Sequence, residues 1–476
     1  MVKRRDHFLE QITLKRGILR DDSVTTRKRI WGWYFFDWAS QPYSTLLLTF
    51  IFGPYFAQTA ANSLMTSGLS EAAAEAQAQV WWGYGLTLSG VTIAILAPLL
   101  GSVADGAARR RPWIWGFSAL YVIGSTGIWW SSPETFFPIL VLVFFGIGLV
   151  GMEMATVFTN AFLPSLAPKP ELGRISGTGW ALGYAGGILS LIIVLGFFQV
   201  ASDGQTILGL NPLFGLDDQS GADTRIVGPF SAVWFVVFMI PFYLWVKEGK
   251  PSHRESYSMT DGIAGLWKTV QSLPQNRSYM AYLFASMFYR DGLNGLYTFG
   301  GIYAAGVMGW TILEIGLFGI GAALSGAVFC WIGGYIDRAI GPKLVIIGCC
   351  TVLILVSVLI VMLTPSSVFG ISLLPESTLP DRLFFLAGIV IGAAGGVLQS
   401  SSRHMLTRQC ERDRLVEGFG LYAMSGKATT FLAPLLIAIL TDATQSQRFG
   451  ILPLIFLFAI GLILLSWVRP DISPEK

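Results

Sequence analysis

Twelve largely apolar runs separated by short polar breaks make up most of the chain: 31–58, 81–101, 112–131, 137–162, 176–200, 226–247, 278–304, 311–334, 343–363, 383–405, 417–440 and 449–468. A run of about 20 apolar residues crosses the hydrocarbon core of a bilayer as a helix. In lipid each backbone amide must find its partner inside the protein, which favours helices throughout. The pattern therefore predicts an all-α membrane protein of twelve transmembrane helices. The runs fall into two six-helix halves, 31–247 and 278–468, joined by a middle loop at 248–277 and flanked by tails at 1–30 and 469–476. None of the polar pieces, including the loop near 202–225, is large enough for a catalytic domain.

One break occurs twice. GSVADGAARRR at 101–111 returns as GGYIDRAIGPK at 333–343, so that Gly101 meets Gly333, Asp105 meets Asp337 and Arg111 meets Lys343. Glycine lets helices approach, the aspartate can cap or pair across a helix end, and the basic residues hold the turn at an anionic lipid surface. A tight acidic-basic turn repeated in two six-span halves resembles motif A of the major facilitator superfamily. The resemblance makes Gly101, Asp105, Arg109, Arg111, Gly333, Asp337 and Arg338 the gating candidates. The first copy departs from the family in carrying Gly106 where Arg is usual, whereas the second keeps Arg338. The plain alternative is a snorkelling basic loop with no gating role.

Composition agrees with the pattern. The residues are 53% hydrophobic and 13% charged, with a mean hydropathy of +0.59, whereas soluble domains carry about 25% charge. Of the 32 Lys and Arg, nine precede Trp31, only Arg225, Arg382 and Arg448 fall on the opposite side, and Arg290 and Lys427 lie inside spans. The positive-inside bias predicts that both termini are cytoplasmic. The tail, with Phe8, Ile12 and Leu19 among basic residues, reads either as an interfacial helix or as a disordered basic segment. Arg4-Arg5 lacks the apolar region that a twin-arginine signal requires. Cys330, Cys349, Cys350 and Cys410 fall in spans or on the cytoplasmic side and read as core residues. His7, His253 and His404 are read as lying outside the depth of the spans. No metal cluster, cofactor site or histidine relay is expected, which leaves titration to carboxylates. The net charge of +3 reflects topology and gives no reason to expect nucleic acid.

Intramembrane ionisable residues are functional candidates by default. In the first span Asp37, Gln41, Ser44, Thr45 and Thr49 recur at helical spacing on one face. Asp37 lies about 9 Å past Trp31, so a shallow position near the headgroups is the plain alternative. Span 4 carries Glu153, Thr156 and Asn160 on one face. In span 7, Arg290 and Asp291 lie about 18 Å past Tyr279, cannot share a helix face, and stand beside Asn294 between Gly292 and Gly295. The bracketing glycines predict a broken helix lining a cavity there, with Asp37 or Glu153 as the acidic partner of Arg290. Span 10 offers Gly388, Gly392, Gly395, Gln399 and Ser402 on one side, which predicts that it lines a passage. Lys427, about 15 Å inside span 11, needs a counter-ion on an otherwise regular helix. Gly179, Gly183 and Gly187 of span 5 give the small-xxx-small spacing of close helix packing. GLYAMSGK at 420–427 fails as a phosphate loop, because its glycine spacing is wrong, Ala428 replaces Ser/Thr and no strand precedes it.

The opening of the first span, with Asp-Trp-Ala at 37–39 and Pro-Tyr-Phe-Ala at 54–57, is similar to the vacuole-effluxer branch of the superfamily. So are APLLGSVAD in span 2, NAFLPSLAP and GRISGTGWALGYAGG at spans 4 and 5, FYRDGLNGLYTFGGIYAAGV in span 7, and LQSSSR and EGFGLYAMSGK at spans 10 and 11. SSSRHM, around His404, departs from the branch pattern LSRSLF. The resemblance implies a 6+6 permease with a cavity lined by spans 1, 4, 7 and 10, and, for vacuolar members, export of amino acids to the cytosol. The expected function is secondary transport of a small solute, such as an amino acid or similar zwitterion, by alternating access and coupled to protons. Asp37, Glu153 and Asp291 are the candidate proton carriers, and Arg290 and Lys427 the anion-side partners. The expected site is the plasma (inner) membrane, with the vacuolar membrane as the alternative. The competing functions are transport of a drug, sugar, siderophore or lipid-like solute, a non-transporting scaffold, and an intramembrane enzyme. For the last, the spans lack a His-rich or paired-aspartate motif.

Overall fold

The computed structural model describes residues 26–106, 109–200, 204–248, 259–310, 312–374, 377–444 and 446–471. The tail before residue 26, with its expected interfacial helix, lies outside the described residues, as do His7, His253, positions 107–108 of the first gating turn and the last five residues. The first span is α1 (26–42), a π-helical stretch at Tyr43–Phe50 and α2 (Phe52–Thr66). Pro42, which has no amide to donate, immediately precedes the π turn. There follow α3 (Glu71–Gly106), α4 (Arg111–Gly127), α5 (Pro138–Asn160), α6 (Leu172–Phe197) and α7 (Val227–Trp245), then the short α8 (Met259–Ser272) in the middle loop. The second group is α9 (Arg277–Gly306), α10 (Ile312–Ile340), α11 (Pro342–Val361), α12 (Leu379–Gln409), α13 (Leu415–Ala428), α14 (Leu432–Thr444) and α15 (Leu452–Ser466).

Among the described residues, nine helices are long and apolar enough to cross a membrane. The expected spans at 31–58, 112–131 and 278–304 are helical but stand apart from these nine. The first is interrupted by its π turn, α4 has only 17 residues, and α9 carries Arg277, Arg290 and Asp291. The connection between α11 and α12 forms a small antiparallel meander, Leu363–Thr364, Ser367–Val368 and Ile371–Ser372, with Leu363 opposite Val368.

Aromatic side chains fill the group of helices before α8: Tyr43 meets Tyr121 edge-on at 5.2 Å, and Trp82 lies 4.5 Å from Phe145 between ring centroids. Between helices in lipid such van der Waals packing, rather than exclusion of water, supplies most of the cohesion. The groups before and after α8 meet along two seams, α3 against α13 and α6 against α10. Small residues set both. A Cβ on Gly101 would stand 2.7 Å from the Val416 carbonyl oxygen, and one on Gly177 would stand 2.4 Å from that of Cys330.

Candidate functional site

Arg29 reaches Ser165, and Lys169 pairs with Asp471 at 3.5 Å, so the first and last described residues share one end of the molecule with the α5–α6 connection. The two copies of the repeated turn also lie at this basic end. Asp105 accepts the amide of Glu417 at 2.9 Å and pairs with Arg110 at 2.9 Å. Glu417 is the third residue of α13, whose first amides have no partner within the helix, so the carboxylate caps α13 from the other half. The second copy places its aspartate at the other seam, without a helix amide bonded to it among the described residues. Asp337 is buried against the start of α6, where a Cβ on Gly173 would lie 2.5 Å from its Oδ1, and that oxygen is 2.7 Å from Nδ1 of His404. The basic positions correspond as well: Arg111 donates to the Tyr243 carbonyl at the end of α7, and Lys343 to the Val468 carbonyl just after α15, both at 2.6 Å. Arg338 pairs with Glu171 across the halves, whereas Arg109 is exposed. The helix α8 crosses the junction, accepting at Gly262 from Ser102 and at Gly265 from Arg414.

Beside these turns lies the most heavily bonded cation. Arg403 on α12 donates from Nη1 to Asp37 at 2.9 Å and Asn160 at 3.2 Å, from Nε to the Ser176 hydroxyl at 2.9 Å, and from Nη2 to the Ser176 carbonyl at 2.7 Å. Its guanidinium lies over the ring of Trp33, 4.6 Å from the centroid. α1, α5 and α6 of the first half are thereby tied to α12 of the second. Asp37 thus belongs to the same basic end, against Gly179 of α6, where a Cβ would meet its Oδ2 at 2.5 Å. Gln41, half-buried, packs along the same face against Gly187.

Deeper in the spans, Glu153 of α5 pairs with Lys427 of α13 at 3.0 Å, and both side chains are 28% exposed. Lys427 has the counter-ion that its depth requires, and the pair joins the two halves. The expected break in span 7 is not there: α9 runs unbroken from Arg277 to Gly306. The break lies in span 11, at Thr429–Phe431 between α13 and α14, so Lys427 is not on a regular span. The glycines of α9 serve packing instead, Gly292 against Phe458 and Gly295 against Leu454. Arg290 does not pair with Asp37 or Glu153. It donates to the Tyr422 carbonyl at 2.8 Å, lies 4.1 Å over the Tyr422 ring and fills the space beside Gly426, and among the described residues no carboxylate comes within ion-pair distance of it. Asp291 accepts the amide of Ala433 at 2.8 Å, the second residue of α14. Adjacent residues of α9 therefore flank the interruption, Arg290 beside Gly426 in the last turn of α13 and Asp291 as an anion at the positive end of α14.

Asn294 is exposed on α9. Gln399 is half-buried, beside Tyr184 and Tyr297. The other small residues of span 10 line no passage: Gly388 packs on Phe318, Gly392 on the Ala322 backbone and Gly395 on Tyr297, while Ser402 bonds with Tyr289.

Sequence reasoning missed Arg403, Arg110, Ser176, Glu417 and His404. Arg403 is absent from the intramembrane candidates and His404 is expected outside the depth of the spans, yet both are buried in α12. The usable signal was α12 itself: an uninterrupted helical pattern through SSSRHML carries Arg403 and His404 inward, where each needs a partner.

A sequence profile of the family described as "Vacuole effluxer Atg22 like" matches residues 25–473. An uncharacterized MFS-type transporter of Bacillus subtilis, YxiO, is 26% identical over 445 residues, covering 93% of this chain and 95% of its own. Autophagy-related protein 22 of Cryptococcus neoformans is 22% identical over 308 residues, 63% of this chain and 50% of that protein, so the match spans about half the length of the fungal relative. Among solved structures, the major facilitator transporter FucP in its outward conformation superposes with a TM-score of 0.67 at 14% identity, covering 92% of this chain and 98% of that one.

Proposed function

The chain belongs to the Atg22-like vacuole effluxer family, multi-pass membrane transporters of the major facilitator fold, and we propose that it moves a small zwitterion, such as an amino acid, by alternating access coupled to protons. The observation that carries this reading is the Glu153–Lys427 pair, which bridges the halves within the spans and leaves part of each side chain uncovered by protein. A zwitterion has the two charges needed to replace each partner: its ammonium takes Glu153 and its carboxylate takes Lys427. Charge-assisted bonds of this kind contribute about 1.5–3 kcal/mol each. Arg290, packed against Gly426, adds a second positive charge one residue along from Lys427. Asn294, Gln41 and Gln399 are the neutral hydrogen-bonding groups proposed for the passage.

In this reading the basic end is cytoplasmic and shut, in a plasma membrane or, as in the family's vacuolar members, a vacuolar one. Asp37 and Glu153 each face a cation in the opposite half, so parting the halves frees a carboxylate to take up a proton. Asp291, engaged with α14, has a structural task in the same scheme. The test is uptake and efflux by the purified protein in liposomes under an imposed pH gradient, using a panel of amino acids, other zwitterions, sugars and organic anions. Accumulation of a zwitterion that is lost in Glu153→Gln and Lys427→Met is the expected result. Accumulation of a sugar or an anion and of no zwitterion, with either gradient polarity, would refute it.

A further inference from the structure

The second gating turn holds a histidine for which none of the contacts described so far supplies a task. His404 and Asp337 are fully buried, with Nδ1 of the ring 2.7 Å from Oδ1 of the carboxylate, whose other oxygen has no hydrogen-bond partner among the described residues. Arg408, one turn further along α12, donates its Nε–H to Nε2 of the same ring at 3.2 Å. A guanidinium can only donate, so Nε2 carries no proton, and the ring proton sits on Nδ1, donated to Asp337. The ring is thus held neutral while the basic end is shut. An imidazolium would forfeit the Arg408 bond and set two cations side by side.

The pair lies on the moving seam. Asp337 faces Gly173 at the start of α6, and the next turn of α6 is bonded to α12 through Ser176 and the Ser400 carbonyl, 2.7 Å apart. Parting α6 from α10 and α12 brings water to the ring. We propose that His404, held between Asp337 and Arg408, is a proton-binding site of the transport cycle that empties when the basic end closes and fills when it opens. This rests on the alternating-access reading above. The other charges nearby are already engaged: Arg403 with Asp37, Arg338 and Arg174 with Glu171, and Lys343 with Val468. α11 presents the thiol of Cys349. On α9 and α13, Arg290 and Asp291 are committed to span 11, Tyr282 bonds to the Ser402 carbonyl, and Glu417 pairs with Arg414.

The chain has only three histidines, so a His7→Gln/His253→Gln protein carries His404 alone. Nitrogen-15 histidine spectra of this protein in lipid nanodiscs at pH 8 are expected to show the Nδ1–H tautomer. Spin labels at Pro170→Cys and Ala339→Cys, on a cysteine-free background, report the separation across the seam without any solute. The closed-to-open ratio is expected to fall as the pH drops from 8 to 5, by up to about tenfold per pH unit, the limit for one linked proton. His404→Asn, which keeps a donor near Asp337 but cannot take a proton, should flatten that response. A ring protonated on Nε2 at pH 8, or an unchanged pH response in His404→Asn, overturns the proton site and leaves alternating access standing. A label distance that stays fixed under all conditions, including saturating solute, overturns both.

Discussion

Arg403 donates from all three of its guanidinium nitrogens, two of them to Ser176 and the third to Asp37 and Asn160, and has two indole rings beside its flat face. Removing one member of a buried charged pair costs about 3–5 kcal/mol, because the other is left unpaired in a poorly solvating site. Arg403→Ala is therefore expected to lower the thermal midpoint of the purified protein sharply. Asp37→Asn should cost less than Arg403→Ala, since its amide oxygen still accepts from the guanidinium, but more than a neutral substitution, since the buried cation loses its counter-charge. Arg403→Lys should behave more like the alanine variant, because an ammonium cannot reproduce the planar fork. A lysine variant that melts with the wild type would show that charge alone matters here. No spacing rule could have revealed this cluster, as its members lie 227 and 366 positions apart in sequence. Asp37, Glu153 and Lys427 were recognisable singly, since each is an ionisable side chain in an apolar run. Which cation served which carboxylate depended on how the halves dock.

Among the elements, the all-helical membrane architecture was legible because helix length in lipid is set by bilayer thickness, and nine of the expected runs recur as helices long and apolar enough to cross a membrane among the described residues. The broken helix was assigned to the wrong span for a physical reason. Glycines that flank polar residues mark a break or a close packing contact equally well, and in α9 they are contacts with α14 and α15. The interruption at Thr429–Phe431 is held from outside, by Asp291 on the first turn of α14. Losing a cap of this kind costs about 0.5–2 kcal/mol. Asp291→Ala should therefore loosen α14, read as faster deuterium exchange over 432–436, while Asp291→Asn, which still accepts from Ala433, should not. Equal protection in both variants would remove the capping role. At the first seam, Asp105→Asn weakens both the Arg110 pair and the cap on α13. A shift of roughly tenfold in the closed population, corresponding to about 1.4 kcal/mol, should slow transport while the folded protein stays abundant. Wild-type transport by Asp105→Asn would reduce the turn to a topological feature.

For the whole molecule, the polar junctions described between the halves, apart from Glu153–Lys427, gather at the basic end. Joining Glu171→Cys to Arg338→Cys with a short bis-maleimide should therefore block a full transport cycle, and cleaving the linker should restore it. Continued net transport by the linked protein would show that these residues stay together throughout the cycle. The seam between α6 and α10 has a mechanical consequence. Gly177 meets Gly334 backbone to backbone, where a Cβ would lie 2.7 Å from the facing Cα, and Gly173 and Gly333 stand nearby on the two helices. Two surfaces with so few side chains behave as a plain bearing: they can rock without re-seating rotamers, so little friction resists the stroke. The same smoothness leaves no tolerance for wear. A single methyl at Gly177 acts as grit in the bearing, wedging the halves apart at the basic end while leaving every charged residue of the passage in place.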